Sequence, residues 1–231
     1  MNPKPRFTTG YLKVIVSVAR KDLRAELRGR EMLSSMFLFA VLAVVIFSFA
    51  LELNANAREE AVAGVLWVAI IFSGILGLSR SMAIERDKGS LDALLLAPVQ
   101  RSALFFGKMA ANLLFTLIIG VLLLVLLTVL FNIVLLRAEL LLILFGGSIG
   151  FTAAGTLLAS ISAYARAREA LLPIMLLPVV LPIVLSAVRA TNAILADQGF
   201  EEWFSWFQLL ALVDVVFVLS TFFLFDYIVE E

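Results

Sequence analysis

Six stretches of this chain run for roughly 20 residues with at most one charge, and that feature restricts its fold more than any other. They cover residues 32–51, 61–79, 109–136, 140–165, 170–188 and 203–225, the last interrupted only by Asp214. A bilayer core of about 30 Å, at a helix rise of about 1.5 Å per residue, needs a run of that length. With 62% hydrophobic and 16% charged residues over 231 positions, little is left for a soluble domain. The expected fold class is therefore all-α integral membrane, with six transmembrane helices.

The charges carry the orientation. Basic and acidic residues are equal in number, 18 each, but they are unevenly placed. Eight Lys/Arg precede the first run, Arg80, Arg86, Lys88, Arg101 and Lys108 lie between the second and third, and Arg166 and Arg168 lie between the fourth and fifth. Only Arg58, Arg137 and Arg189 fall on the other side. The positive-inside rule then puts both termini in the cytoplasm. Because the first run starts at Met32 behind a charge-rich leader without a small-residue cleavage pattern, the leader is expected to be retained.

The chain has no cysteine and no histidine, which excludes disulfides, thiolate sites, a cysteine nucleophile, and imidazole as ligand or general base. A phosphate loop of the G-x-x-x-x-G-K-[ST] type is absent from the sequence as well. No catalytic, metal or cofactor-binding residue is assigned, and an enzyme is not expected.

Within the leader, "YLKVIVSVARKDLRAELRGR" gathers Lys13, Arg20, Lys21, Arg24 and Arg28 on about 100° of helical arc, opposite Leu12, Ile15, Val18, Ala19 and Leu23. This predicts an amphipathic helix on the cytoplasmic membrane surface, its basic side toward phosphates or a partner. Asp22 and Glu26, one turn apart, fall away from the basic arc; with Arg24 and Arg28 they form a candidate interface, and local pairing with arginines is the plainer account of the acids.

Three features of the apolar runs stand out. Gly146 and Gly150, then Gly155 and Ala159, repeat a small residue every fourth position, which lets helices approach closely in lipid. Pro173, Pro178 and Pro182 predict a kinked or broken fifth span, either as a hinge or as a fixed bend. Asp214, midway along the sixth run, should face a partner group or a cavity, since a carboxyl at that depth costs about 2.5 to 3.5 kcal/mol on insertion scales. Before it, "ATNAILADQGFEEWFSWF" reads as a long outward segment ending in Trp203 and Trp206, placed as interfacial anchors or as an aromatic platform.

Between the second and third spans lies "IERDKGSLDALLLAP". Gly89 allows a turn, Ser90 suits an N-cap, and Asp92 sits in the first turn where the helix dipole favours an anion. Leu91, Leu94 and Leu95 share one face, and Pro98 ends the helix. A two-turn helix of roughly 10 Å results, too small to anchor in lipid and shaped as a knob for a protein groove.

This arrangement resembles the membrane subunits of ABC exporters, whose coupling helix docks in the ATPase, and it is most similar to the CcmB family, the haem exporter B subunits of cytochrome c maturation. The likeness rests on "DKGSLDALLLAP", on the leader from Arg20 to Ala50, and on "LLPIMLLPVVLPIVL" at 171–185. The resemblance implies one ABC exporter-type membrane domain over 1–231, with a leader and elbow helix in 1–31, a six-helix region in 32–228 and a coupling helix in 89–98. It also implies a multi-pass protein of the bacterial inner membrane, partnered by an ATPase subunit (A), a haem-handling membrane subunit (C), a small subunit (D), a haem chaperone (E) and a second copy of itself, with no nucleic acid. ATP would sit on the ATPase and haem on the other subunits. The missing histidines favour a mechanical role over a haem channel. Direct haem export, an ABC permease for a lipid-linked glycan or drug, and a non-transporting scaffold are the alternatives.

Overall fold

The computed structural model describes residues 10–51, 55–87, 100–162 and 168–228. All regular structure among them is helical: α1 (Tyr11–Gly29), α2 (Glu31–Ala50), α3 (Ala55–Asp87), α4 (Arg101–Phe131), α5 (Ala138–Ser162), α6 (Arg168–Leu195) and α7 (Phe200–Ile228). The last six are long and apolar enough to cross a bilayer, so the chain is a multi-pass membrane protein. They alternate in direction. Arg80 near the end of α3 pairs with Glu31 at the start of α2 at 3.0 Å, and Arg137 before α5 pairs with Asp197 after α6 at 2.6 Å. These two pairs mark opposite ends of the bundle, and α1 lies at the end that holds Glu31 and Arg80.

Helix limits depart from the apolar runs in several places, three of which have a clear physical reason. The third run was expected to begin at residue 109, because Lys108 ends the uncharged stretch. Instead α4 begins at Arg101, and Lys108 is buried inside it with its ammonium 3.8 Å from Asp22 of α1. At its other end, residues 132–136 were expected to be membrane helix, yet the chain leaves the helix at Asn132, whose φ of 56° is left-handed. The segment folds back so that Leu135 N–H donates to Thr128 Oγ1 at 3.2 Å, which satisfies a donor that water cannot reach. The long outward segment expected after residue 188 is also mostly helix. α6 continues to Leu195 and α7 starts at Phe200, leaving a tight turn that carries Asp197 at φ 49°.

Burial sorts the helices. α3 and α5 form the centre: α5 packs against α3, α4, α6 and α7, and α3 against α2, α4, α5 and α6. Water-driven collapse is not available between helices in lipid, so close van der Waals approach must replace it, and glycine supplies that approach. Gly147 of α5 lies directly against the indole of Trp67 on α3, leaving no room for a β-carbon. The same indole donates through Nε1 to Thr191 Oγ1 of α6 at 3.0 Å, so one side chain ties three helices together. Asn112 Nδ2 donates to Thr156 Oγ1 at 3.0 Å and adds a polar tie between α4 and α5.

α6 runs as one helix through all three prolines. Its buried stripe is Leu172, Leu176, Val180, Ile183, Ala187 and Ala190, whereas Pro178 and Pro182 are exposed on the outside and Pro173 is half-buried. The proline rings therefore do not obstruct the packed face.

Candidate functional site

At the α1 end, four helices are locked into one unit. Val14 and Val18 of α1 are buried with Ala103 and Leu104 of α4, and Val18 rests on Gly107. Periodicity placed Val18 with Leu12 on the lipid side; it packs inside the protein instead, while Leu12 is exposed. The acids expected to pair with nearby arginines do something else. Asp22 lies 3.1 Å from Lys21 and 3.8 Å from the buried Lys108. Glu26, 7% exposed, accepts a hydrogen bond from Leu33 N–H at 2.8 Å. That amide belongs to the first turn of α2, where the backbone donors have no intrahelical acceptor, so Glu26 acts as a cap from the preceding helix. Arg30, left-handed at φ 55°, is the hinge residue that makes this geometry possible. Arg24 and Arg28 point the other way and are exposed.

This unit borders the candidate docking segment. Gly89, Ser90, Leu91, Leu94, Leu95 and Pro98 lie outside the described residues. What flanks them is fixed: α3 is held to α2 by Arg80 and Glu31, and the start of α4 is held to α1 by Gly107 and Lys108. A force applied between residues 88 and 99 would act on helices tied to the leader.

Midway through the bundle, Asp214 of α7 is 7% exposed and lies over Gly146 and Gly150 of α5, with Ile183 of α6 beside it. The four-residue glycine spacing thus makes a notch for α7. Asp214 Oδ1 has no hydrogen-bond partner among the described residues, and neither does the buried Ser148 Oγ. The other half of the repeat, Gly155, faces Leu78 of α3.

At the far end, Arg137 Nη1 donates to Asp197 Oδ1 and to the Ile194 carbonyl, the latter at 3.1 Å, clamping two turns together. Beside them opens a cleft of about 540 Å³ with Glu60, Asn132 and Asn192 in its polar lining. The two tryptophans expected as anchors separate: Trp206 is partly exposed, whereas Trp203 is buried against Phe200 and Phe204.

With these positions in view, comparison with known sequences is decisive at the family level. The sequence model of the family described as CcmB protein matches residues 13–228, which takes in all seven helices except the first two residues of α1. The chain belongs to the CcmB family. Among curated relatives, "Heme exporter protein B" of Escherichia coli strain K12 and its counterpart in Shigella flexneri are each 24% identical over 95 residues. That stretch covers 41% of this chain and 43% of each relative, so the matched region spans less than half the length of the curated relatives.

One member of the site, and the role of a second, escaped the sequence reading of this CcmB-family chain. Lys108 was read as a flank, although a lysine seven residues into a helix that starts at Arg101 is placed to meet an acid on a neighbouring helix. Glu26 was named as a candidate interface residue or a local partner of arginines, and only its role as a cap on α2 was missed; its offset of seven residues from Leu33 across an Arg30 turn was the signal available.

Proposed function

We propose that this chain is the non-catalytic membrane subunit of an ABC-type complex serving cytochrome c maturation, and that it transmits force to haem-handling partners. The single observation that carries the proposal is the CcmB match over nearly the whole bundle. In this reading the α1 end faces the cytoplasm of a bacterium, because most of the basic residues lie there. A separate ATPase docks on residues 89–98 through Leu91, Leu94 and Leu95, and its movements pass into α3 and α4. The α1 clamp makes these helices and α2 move together. Asp214 serves as a polar joint where α7 seats on α5, so Asp214→Leu should impair ATP-dependent function while haem stays on the partner subunits. The far end, with its cleft and Trp206, meets the haem-handling subunit or its chaperone.

Direct haem export is the competing reading, favoured by the name of the relatives. Against it stands the ligand inventory. Histidine and cysteine are absent, and of the methionines in the described residues Met32, Met36, Met82 and Met109 are buried in packing, Met36 against Gly77, which leaves Met175 on the outer side of α6 as the exposed one. The test is a Leu94→Asp, Leu95→Asp double variant of the native complex. Loss of ATPase co-purification is expected; unchanged co-purification together with unchanged ATP-dependent function would refute the docking role.

A further inference from the structure

We propose that the outward face of α1 is a binding seam for anionic phospholipid. Three sectors divide this helix. The first faces the protein and holds both acids, Asp22 and Glu26, beside Val14 and Val18. At roughly 100° per residue, Leu12, Val16 and Leu27 then fall within about 60° of arc, with Leu23 among them half-buried against the core, and Arg20, Lys13, Arg24 and Arg28 within the adjoining 80° or so. Leu12, Val16 and Leu27 are 74%, 62% and 69% exposed, far too open for side chains meant to face water alone. The four cations are exposed too, and none of them forms an ion pair among the described residues.

Turning both acids inward has an electrostatic result. It leaves an outer surface that presents positive charge only, directly beside an apolar strip. That pairing fits a phosphodiester headgroup above its own acyl chains, and α1 is covalently joined to a spanning helix that keeps it at that depth. An apolar furrow of about 390 Å³ between α1 and α4 continues the strip: Ile15, three residues from Leu12, lines it with Tyr11, Phe106, Met109, Ala110 and Leu113. A soluble acidic protein would match the cations but would leave the strip and furrow uncovered. The seam takes lipid whatever the cargo of the complex, so it does not rest on the haem reading.

The experiment uses the full chain in nanodiscs of phosphatidylcholine alone or mixed with phosphatidylglycerol. Because the chain has no cysteine, Val16→Cys carries a single fluorophore without competing thiols. Two results are expected: quenching of that probe by brominated acyl chains, and selective retention of phosphatidylglycerol on extraction, falling at least about tenfold in a Lys13→Gln, Arg20→Gln, Arg24→Gln, Arg28→Gln variant. An Arg24→Gln, Arg28→Gln variant, with a smaller charge change, should show an intermediate loss and guards against misfolding of the fourfold one. Equal retention of both lipids by the unaltered chain, or a probe quenched only by aqueous agents, would overturn the proposal, as would an acidic protein displacing the lipid.

Discussion

Helices α5 and α7 are both apolar enough to span a membrane, yet 78% of an 18-residue apolar stretch of α5 is buried in the protein and only 17% of the equivalent stretch of α7 is. What separates them is side-chain size on the contact faces. α5 presents Gly146, Gly147, Gly150 and Gly155 to three neighbours, whereas α7 presents Leu209, Leu212, Val215, Val216 and Leu219 to the outside. In lipid the centre of a bundle is taken by the helix that lets others come close, not by the most hydrophobic one. Asp214 is the exception that locates the contact: among the described residues it is the buried carboxylate of α7, and it sits where α5 has glycine.

The sharpest way to break this contrast is Gly147→Val. Its side chain would occupy the place of the Trp67 indole, which is held by Thr191 and cannot move without losing that bond, so a destabilisation of about 3 kcal/mol is expected in refolding from mild denaturant. Glu26→Ala comes next. Removing the cap from the first turn of α2 should cost about 1 kcal/mol and speed amide exchange at Leu33. Thr191→Val keeps the side-chain shape and loses only the bond from the Trp67 indole, for an expected loss of about 0.6 kcal/mol in the same unfolding assay. Leu212→Ala, on the open face of α7, should change stability by less than about 0.5 kcal/mol. A large loss there would mean that another protein surface covers α7.

The number and order of spanning helices could be read from the sequence because an uncharged run of bilayer length has few other uses. Their ends could not. A charge was treated as a boundary, but Lys108 is accommodated inside α4 by an acid on α1, and that pairing depends on tertiary placement. Conversely, residues 132–136 are uncharged and still leave the helix, since the left-handed Asn132 and the Thr128 hydroxyl together satisfy the turn. The glycine repeat was legible as a packing signal, although its division between α7 and α3 was not. For the leader, periodicity identified the basic arc correctly but could not tell which apolar residues meet protein and which stay open. Val18 and Leu12 look alike in sequence, and it is contact with Ala103, Leu104 and Gly107 of α4 that buries Val18.

The proposed function carries one central claim, that the bundle moves its partners and does not conduct haem. The most direct measurement stops ATP hydrolysis in the assembled complex and finds where haem collects. The account predicts a haem-loaded chaperone held unreleased on the haem-handling subunit, with no haem on this chain. Haem recovered in stoichiometric amount within the six spanning helices would contradict it.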